Sequence, residues 1–511
     1  MSDIAVAESG TRLQNFLDRA GLRGFPWKTA TILYTISWGW LFIVRDSYWA
    51  DDWDLLVYPE LEAAISLRSL GAAPWLIVNN LAFEYFGPAL FRFCTFGLYL
   101  CSSIFLFGIL GKNSIFSMSQ RRCVALLFLI LPFNSARIMN ITFGYAEAYF
   151  LFFAAWYALN TFNSRKSRFI ACILFFLSFQ MFTLIAFFIL PVSHLYFLER
   201  GGSLRDTSAW IKKNLTLLLL PAFFWILRYF FWSSTREYHS ITSNKVIGLI
   251  EISIVFSSIL IILAVAYIRS RAEQRYSIFL ILVGICVMFV GYLPYLLYGL
   301  AGYGLKVPGT YLTMMFGRSD WFSRHQILQP LGLSILIVGL LGLLPAFVRR
   351  FRESIVGLIL AVAVVFNVAF GFEYAVDYSK QMSVVAALAA KPNRTEGDEI
   401  QMVDQTTFLN ARQRSYRERD WVGLVGLAEG IDSAKKLNVV GGCSENPNTR
   451  LVLIQGPRTH WEALKNWVSD GDMGFKVSVD DTPGACKPEM VTNQRSSGAI
   501  PILFYFTGAK G

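Results

Sequence analysis

The sequence predicts a multi-pass α-helical membrane protein with about eleven transmembrane helices and a C-terminal extracytoplasmic α/β domain. Three observations carry this prediction. Of 511 residues, 55% are hydrophobic and 16% aromatic. Only 16% are charged, against about 25% in an average soluble domain. The apolar residues also fall in runs close to the ~20 that a helix needs to cross a bilayer. Such a composition excludes a disordered chain, a protein that binds nucleic acid through a basic surface, and an ordinary cytosolic enzyme. The formal charge of +11 then reads as membrane topology rather than polyanion binding.

Residues 1–26 are mixed and polar, and predict a cytoplasmic segment with no secretory signal peptide. The membrane region is expected over 27–372. Its first span runs from about Trp27 to Val44, and others cover roughly Ala89–Leu110, Cys123–Ile138, Ala146–Phe162, Leu215–Trp232, Leu249–Ile268, Ile278–Leu297, Leu328–Val348 and Ile355–Phe372. Phe169–Leu198 is too long for one crossing and short for two. Charge decides its reading. Basic clusters at Arg12–Lys28, Lys112–Arg122, Arg165–Arg168, Arg200–Lys213, Arg269–Arg275 and Arg349–Arg352 place twenty cations on one side, against eight in the opposite short loops. The positive-inside rule puts the clusters in the cytoplasm. Phe169–Leu198 must then enter and leave on one side, as two short helices turning near Gln180–Thr183.

The first outer loop, 45–88, holds seven acidic residues and two basic ones. Its apolar stretches, Leu55–Leu70 and Trp75–Phe86, predict helices lying in the interface. The tail, residues 373–511, predicts a soluble α/β domain. Helices are expected over Tyr374–Ala390, Arg414–Leu427 and Thr459–Val468. Strands are expected at Ile400–Val403, Leu437–Val440, Leu451–Gln455, Phe475–Val479 and Ile500–Phe506. Cys443 and Cys486 are the two tail cysteines, and an oxidising location suits a disulfide between them.

The chemistry-bearing residues gather at the outer ends. Asp51 and Asp52 stand between Trp49 and Trp53, just past the first span. One reading is a solvated acidic loop with interfacial tryptophans. The other is a base and its supporting carboxylate, with one pKa raised by the other charge. Gly299–Gln326 includes Arg318, Arg324 and His325 beside a span. These can meet lipid headgroups, or neutralise a phosphate leaving from a lipid donor, with Arg324 as the clamp and Arg318 and His325 as helpers. Glu147 caps the fourth span, to bind a sugar or acceptor hydroxyl or to pair with Arg137. No Walker A loop, Rossmann glycine fingerprint or zinc motif is present.

This layout resembles the GT-C superfamily of integral-membrane glycosyltransferases. The resemblance covers 27–372 by arrangement. By motif it covers the Asp51-Asp52 loop and, more weakly, the two later segments. It implies a polyprenyl-phosphate sugar donor, a cell-envelope glycan or glycolipid acceptor, and inversion at the anomeric carbon. The implied location is the bacterial cytoplasmic membrane, with the N-terminus inside. It implies Asp51 as general base, with Asp52 able to trade roles with it and Asp46 a further candidate in the loop. Trp49 and Trp53 would stack on sugar faces. Members of the superfamily differ in their use of a divalent metal, so Mg or Mn at Asp51 and Asp52 is an open expectation. A transporter or flippase of a lipid-linked glycan is the alternative; it predicts charged or polar residues lining mid-membrane positions and related halves. The sequence has no run of mid-span carboxylates and no internal repeat, and the two arginines inside spans, Arg92 and Arg228, are explained by pairing or snorkelling.

Overall fold

A computed structural model describes residues 21–49, 52–57, 74–112, 115–162, 164–201, 207–231, 243–298, 326–391, 399–411, 414–443 and 449–480. Helices dominate. Four are long and apolar enough to cross a membrane: Tyr85–Leu110, Thr183–Arg200, Gln274–Gly291 and Arg352–Ala389. The pair Thr207–Lys213 and Leu215–Phe231, bent by 59°, makes a fifth if taken as one span. Among the described residues this corrects the expected eleven crossings. Some of the expected spans, Leu249–Ile268 and Ala146–Phe162 among them, fall on unbroken helices (Ser243–Arg269 and Phe143–Thr161), but backbone breaks divide others. Helix α1 (Trp27–Trp38) passes into a 3-10 turn at Gly39–Phe42. The run after Cys123 stops at Ile130, before Pro132 and Asn134, whose φ is +56°. Hydropathy counts apolar residues, whereas a crossing needs a continuous hydrogen-bonded helix.

Helix α2 (Pro74–Leu110) is two helices joined at Gly87, where φ is 70° and ψ 175°. Glycine adopts that conformation without a Cβ penalty, and Pro88 then opens the second segment at a position that needs no N–H. Helix α3 (Met118–Ile130) begins at a capping box made by Ser117 and Gln120. Helices α4 (Phe143–Thr161) and α5 (Arg165–Ser178) follow, and the chain turns at Phe179–Phe182 before Thr183–Phe187 and α6 (Ile189–Arg200). Trp156 donates to His194 Nδ1 at 3.0 Å inside this bundle. Further on, α7 (Ala272–Tyr298) and α8 (Gln329–Gly342) run antiparallel in close contact. Methyls added at Gly284 or Gly332 would come within 2.8 Å of the facing backbone, so small residues let these helices approach.

Helix α9 (Arg352–Ala389) is the last of the membrane region and continues into the tail. The expected span Ile355–Phe372 and the expected tail helix Tyr374–Ala390 are therefore one element. A four-stranded sheet follows, built from β1 (Glu399–Asp404), β2 (Asn438–Gly441), β3 (Thr449–Gln455) and β4 (Lys476–Asp480) in the order β2-β1-β3-β4. β1 pairs parallel with both β2 and β3, and β4 is antiparallel to β3. Helix α10 (Glu418–Glu429) connects β1 to β2, and α11 (His460–Asp470) connects β3 to β4. One buried core unites the sheet (Ile400, Val439, Val452), α10 (Trp421, Leu424), α9 (Val384, Leu388) and the first loop (Tyr48, Trp53) with Phe83 and Phe91 of α2.

Candidate functional site in the first loop

The loop after α1 is held by two buried charges that read the backbone. Asp52 is fully buried at the start of the short helix Asp52–Val57. Its Oδ1 accepts the Ile141 N–H at 2.8 Å. Its Oδ2 accepts N–H groups from Asn140 at 3.0 Å and Trp49 at 3.2 Å, and the Asn140 side-chain amide at 3.3 Å. Burial pushes this carboxyl up to about 6, partly offset by the Ile141 and Asn140 N–H groups and by the nearby Arg92 charge.

Arg92, one turn into the second half of α2, supplies the opposite charge. Its guanidinium donates to the carbonyls of Ile138 (3.2 Å), Val44 (2.5 Å), Arg45 and Ser47. Carbonyls at the end of the α1 segment thus converge on one cation, which ties the loop to α2 and to the 3-10 turn Ser135–Ile138. The sequence showed Arg92 as a charge in an apolar run. Intramembrane charges mark function or structure by default, but the partners are backbone atoms that no spacing rule reveals.

The remaining candidates divide. Trp49 and Trp53 are buried, against the expectation of sugar-stacking faces. Trp49 meets the Tyr374 ring edge-on at 5.0 Å, and Trp53 lies beside Tyr48 at 5.2 Å. Trp53 also packs under α10, where a methyl on Gly423 would come within 2.2 Å of its ring. Asp46 is exposed and pairs with Arg45 at 3.1 Å. Glu147 accepts from Asn79 Nδ2 at 2.6 Å and Gln180 Nε2 at 3.2 Å. The alternative of a Glu147–Arg137 pair is corrected: Arg137 instead lies over the rings of Trp38 and Tyr99 and donates to the Asn134 and Phe133 carbonyls. Asp51, Arg318, Arg324, His325 and Cys486 lie outside the described residues. Cys443 is disulfide-bonded, and the five cysteines of the membrane region are free.

Both Asp52 oxygens are occupied by N–H donors, whose partial positive charge competes with a cation. Asp52 therefore does not fit as a ligand for Mg or Mn. Among the described residues no group of three His, Cys, Asp or Glu side chains converges.

A second buried network joins α9 to the tail. Lys380, fully buried, donates to Asp404 at 2.8 Å and to Asn410. Asp377 accepts from Tyr416 and from the Ala411 N–H at 2.9 Å. Gln381 donates to the Tyr48 carbonyl at 3.3 Å. Asp404 ends β1 next to β3, where the strand order reverses. Open α/β sheets usually bind ligands at that point, but here the place is taken by a membrane helix. This leaves the first loop as the stronger candidate. No family model matches the chain, and neither do any curated protein or solved structure.

Proposed function

We propose that this protein is a membrane glycosyltransferase of GT-C type. It moves a sugar from a polyprenyl-phosphate donor to a cell-envelope glycan or lipid acceptor, on the outer face of a bacterial cytoplasmic membrane. The observation that supports the reading best is the fixed acidic loop: Asp52 is immobilised by three backbone N–H groups, and Asp51 is its neighbour. A base acts efficiently when the segment that carries it is held in place.

In this proposal Asp51 takes the proton of an acceptor hydroxyl while Asp52 holds the loop. The hydroxyl oxygen attacks the anomeric carbon, the bond from that carbon to the phosphate oxygen breaks, and polyprenyl phosphate leaves with inversion. Arg324 neutralises the leaving phosphate, with Arg318 and His325 beside it. Asp46 is a second, exposed carboxylate for the acceptor, and Glu147 with Asn79 and Gln180 offers hydrogen bonds to sugar hydroxyls.

The test is release of free polyprenyl phosphate by purified protein in detergent, across a panel of short-chain polyprenyl-phosphate sugars. Release with at least one donor is expected. No release with any donor, together with movement of labelled lipid-linked glycan between liposome leaflets, would replace the enzyme with a flippase.

A further inference from the structure

Helix α11 has an apolar side that the protein only partly covers. Plotted at 100° per residue, Ala463, His460, Leu464, Trp467, Val468 and Trp461 fall within an arc of about 160°. Ala463 and His460 are buried. Trp461, Trp467 and Val468 are 69%, 52% and 75% exposed. Beyond Val368, these three are the only large apolar side chains left exposed among the described residues.

Their position explains the exposure. Ala463 packs with Met473 and Phe475 against Val376 of α9, and Phe372 borders the same cluster. On α9, Leu358, Val362, Val365 and Val368 form an exposed apolar stripe, the mark of a lipid-facing side. The stripe ends at Val368, one turn before Phe372 and two before Val376. That separation is about 6–12 Å along the helix, so the cluster starts within the roughly 5–8 Å that one headgroup layer spans and reaches past its outer edge. So α11 packs where α9 leaves the hydrocarbon, and tryptophan is the residue type that concentrates at that level.

We infer that α11 lies in the interface of the membrane that α9 crosses, with Trp461, Trp467 and Val468 seated at the headgroup–acyl boundary. The occupant is lipid because the uncovered face continues the lipid-facing stripe of α9. The inference does not depend on the reaction the protein catalyses. Its consequence is positional: the tail is tied to the bilayer through α11 and to the first loop through the packing of Gly423 on Trp53.

The test uses the full chain in nanodiscs of phosphatidylcholine with a minor share of phosphatidylglycerol. Subtracting the emission of W461F/W467F from that of the unmodified protein isolates the two indoles. With headgroup-nitroxide lipid the difference signal should lose about half its intensity, as expected of indoles at headgroup depth, while aqueous iodide leaves it nearly unchanged. Quenching by iodide and not by labelled lipid overturns the inference. Iodide quenching relieved by added polysaccharide also overturns it, in favour of a glycan-binding face. If the double variant unfolds, W461F alone provides the same subtraction.

Discussion

The first loop and the α9–tail junction each bury charge, but they are wired differently. At the loop, Asp52 takes backbone N–H groups and Arg92 gives to backbone carbonyls, with no direct bond between the two. At the junction, Lys380 meets Asp404 side chain to side chain. Charges that read the backbone fix one conformation of a segment. A direct ion pair between two elements fixes how they dock. The loop is therefore built for local rigidity, and the junction for holding the four-stranded sheet against the end of α9.

Breaking the junction should have the largest effect. Lys380→Met leaves Asp404 buried without its cation, and should cost about 3–5 kcal/mol. Thermal unfolding and faster proteolysis of residues 399–480 would report it. At the loop, the pH dependence sharpens the contrast. The folded pKa of Asp52 is raised from 3.8 to about 6. Its stabilising contribution is thus fully present below the unfolded value and is lost as pH rises through about 6. The integrated change is about 3 kcal/mol. Asp52→Asn should remove that dependence, so the stability difference between variant and parent should change between pH 4 and 6. A parallel pair of curves would contradict the assignment.

Smaller effects probe the contact between loop and tail. Gly423→Ala pushes a methyl into the Trp53 ring and should destabilise by about 1–3 kcal/mol, as overpacking does. Asp46→Asn should change stability by less than about 1 kcal/mol, because its pair with Arg45 is exposed. Any loss of turnover in Asp46→Asn can then be assigned to chemistry rather than folding.

Local signals made much of this architecture legible. The stop between Trp75–Phe86 and Ala89–Leu110 coincides with the Gly87-Pro88 break, because both residues carry their own backbone preference. The turn expected near Gln180–Thr183 meets the break at Phe179–Phe182. The strands β1 to β4 start and end within two residues of the alternating runs at 400, 437, 451 and 475. The crossing count was not legible, since hydropathy ignores breaks such as Gly39 and Asn134. Neither were Lys380, Asp377 and Gln381, one turn of a helix whose partners come from segments distant in sequence. Asp52 could be read as important from its neighbours. Its anchoring role could not, because the donors at Asn140 and Ile141 lie almost ninety residues away.

The most direct test compares Asp51→Asn with Asp52→Asn, measuring release of polyprenyl phosphate and thermal stability on the same preparations. The proposed roles predict that Asp51→Asn loses release while keeping its unfolding temperature. Asp52→Asn should lower the unfolding temperature and lose release only through the disordered loop. Undiminished release by a folded Asp51→Asn protein would contradict the account.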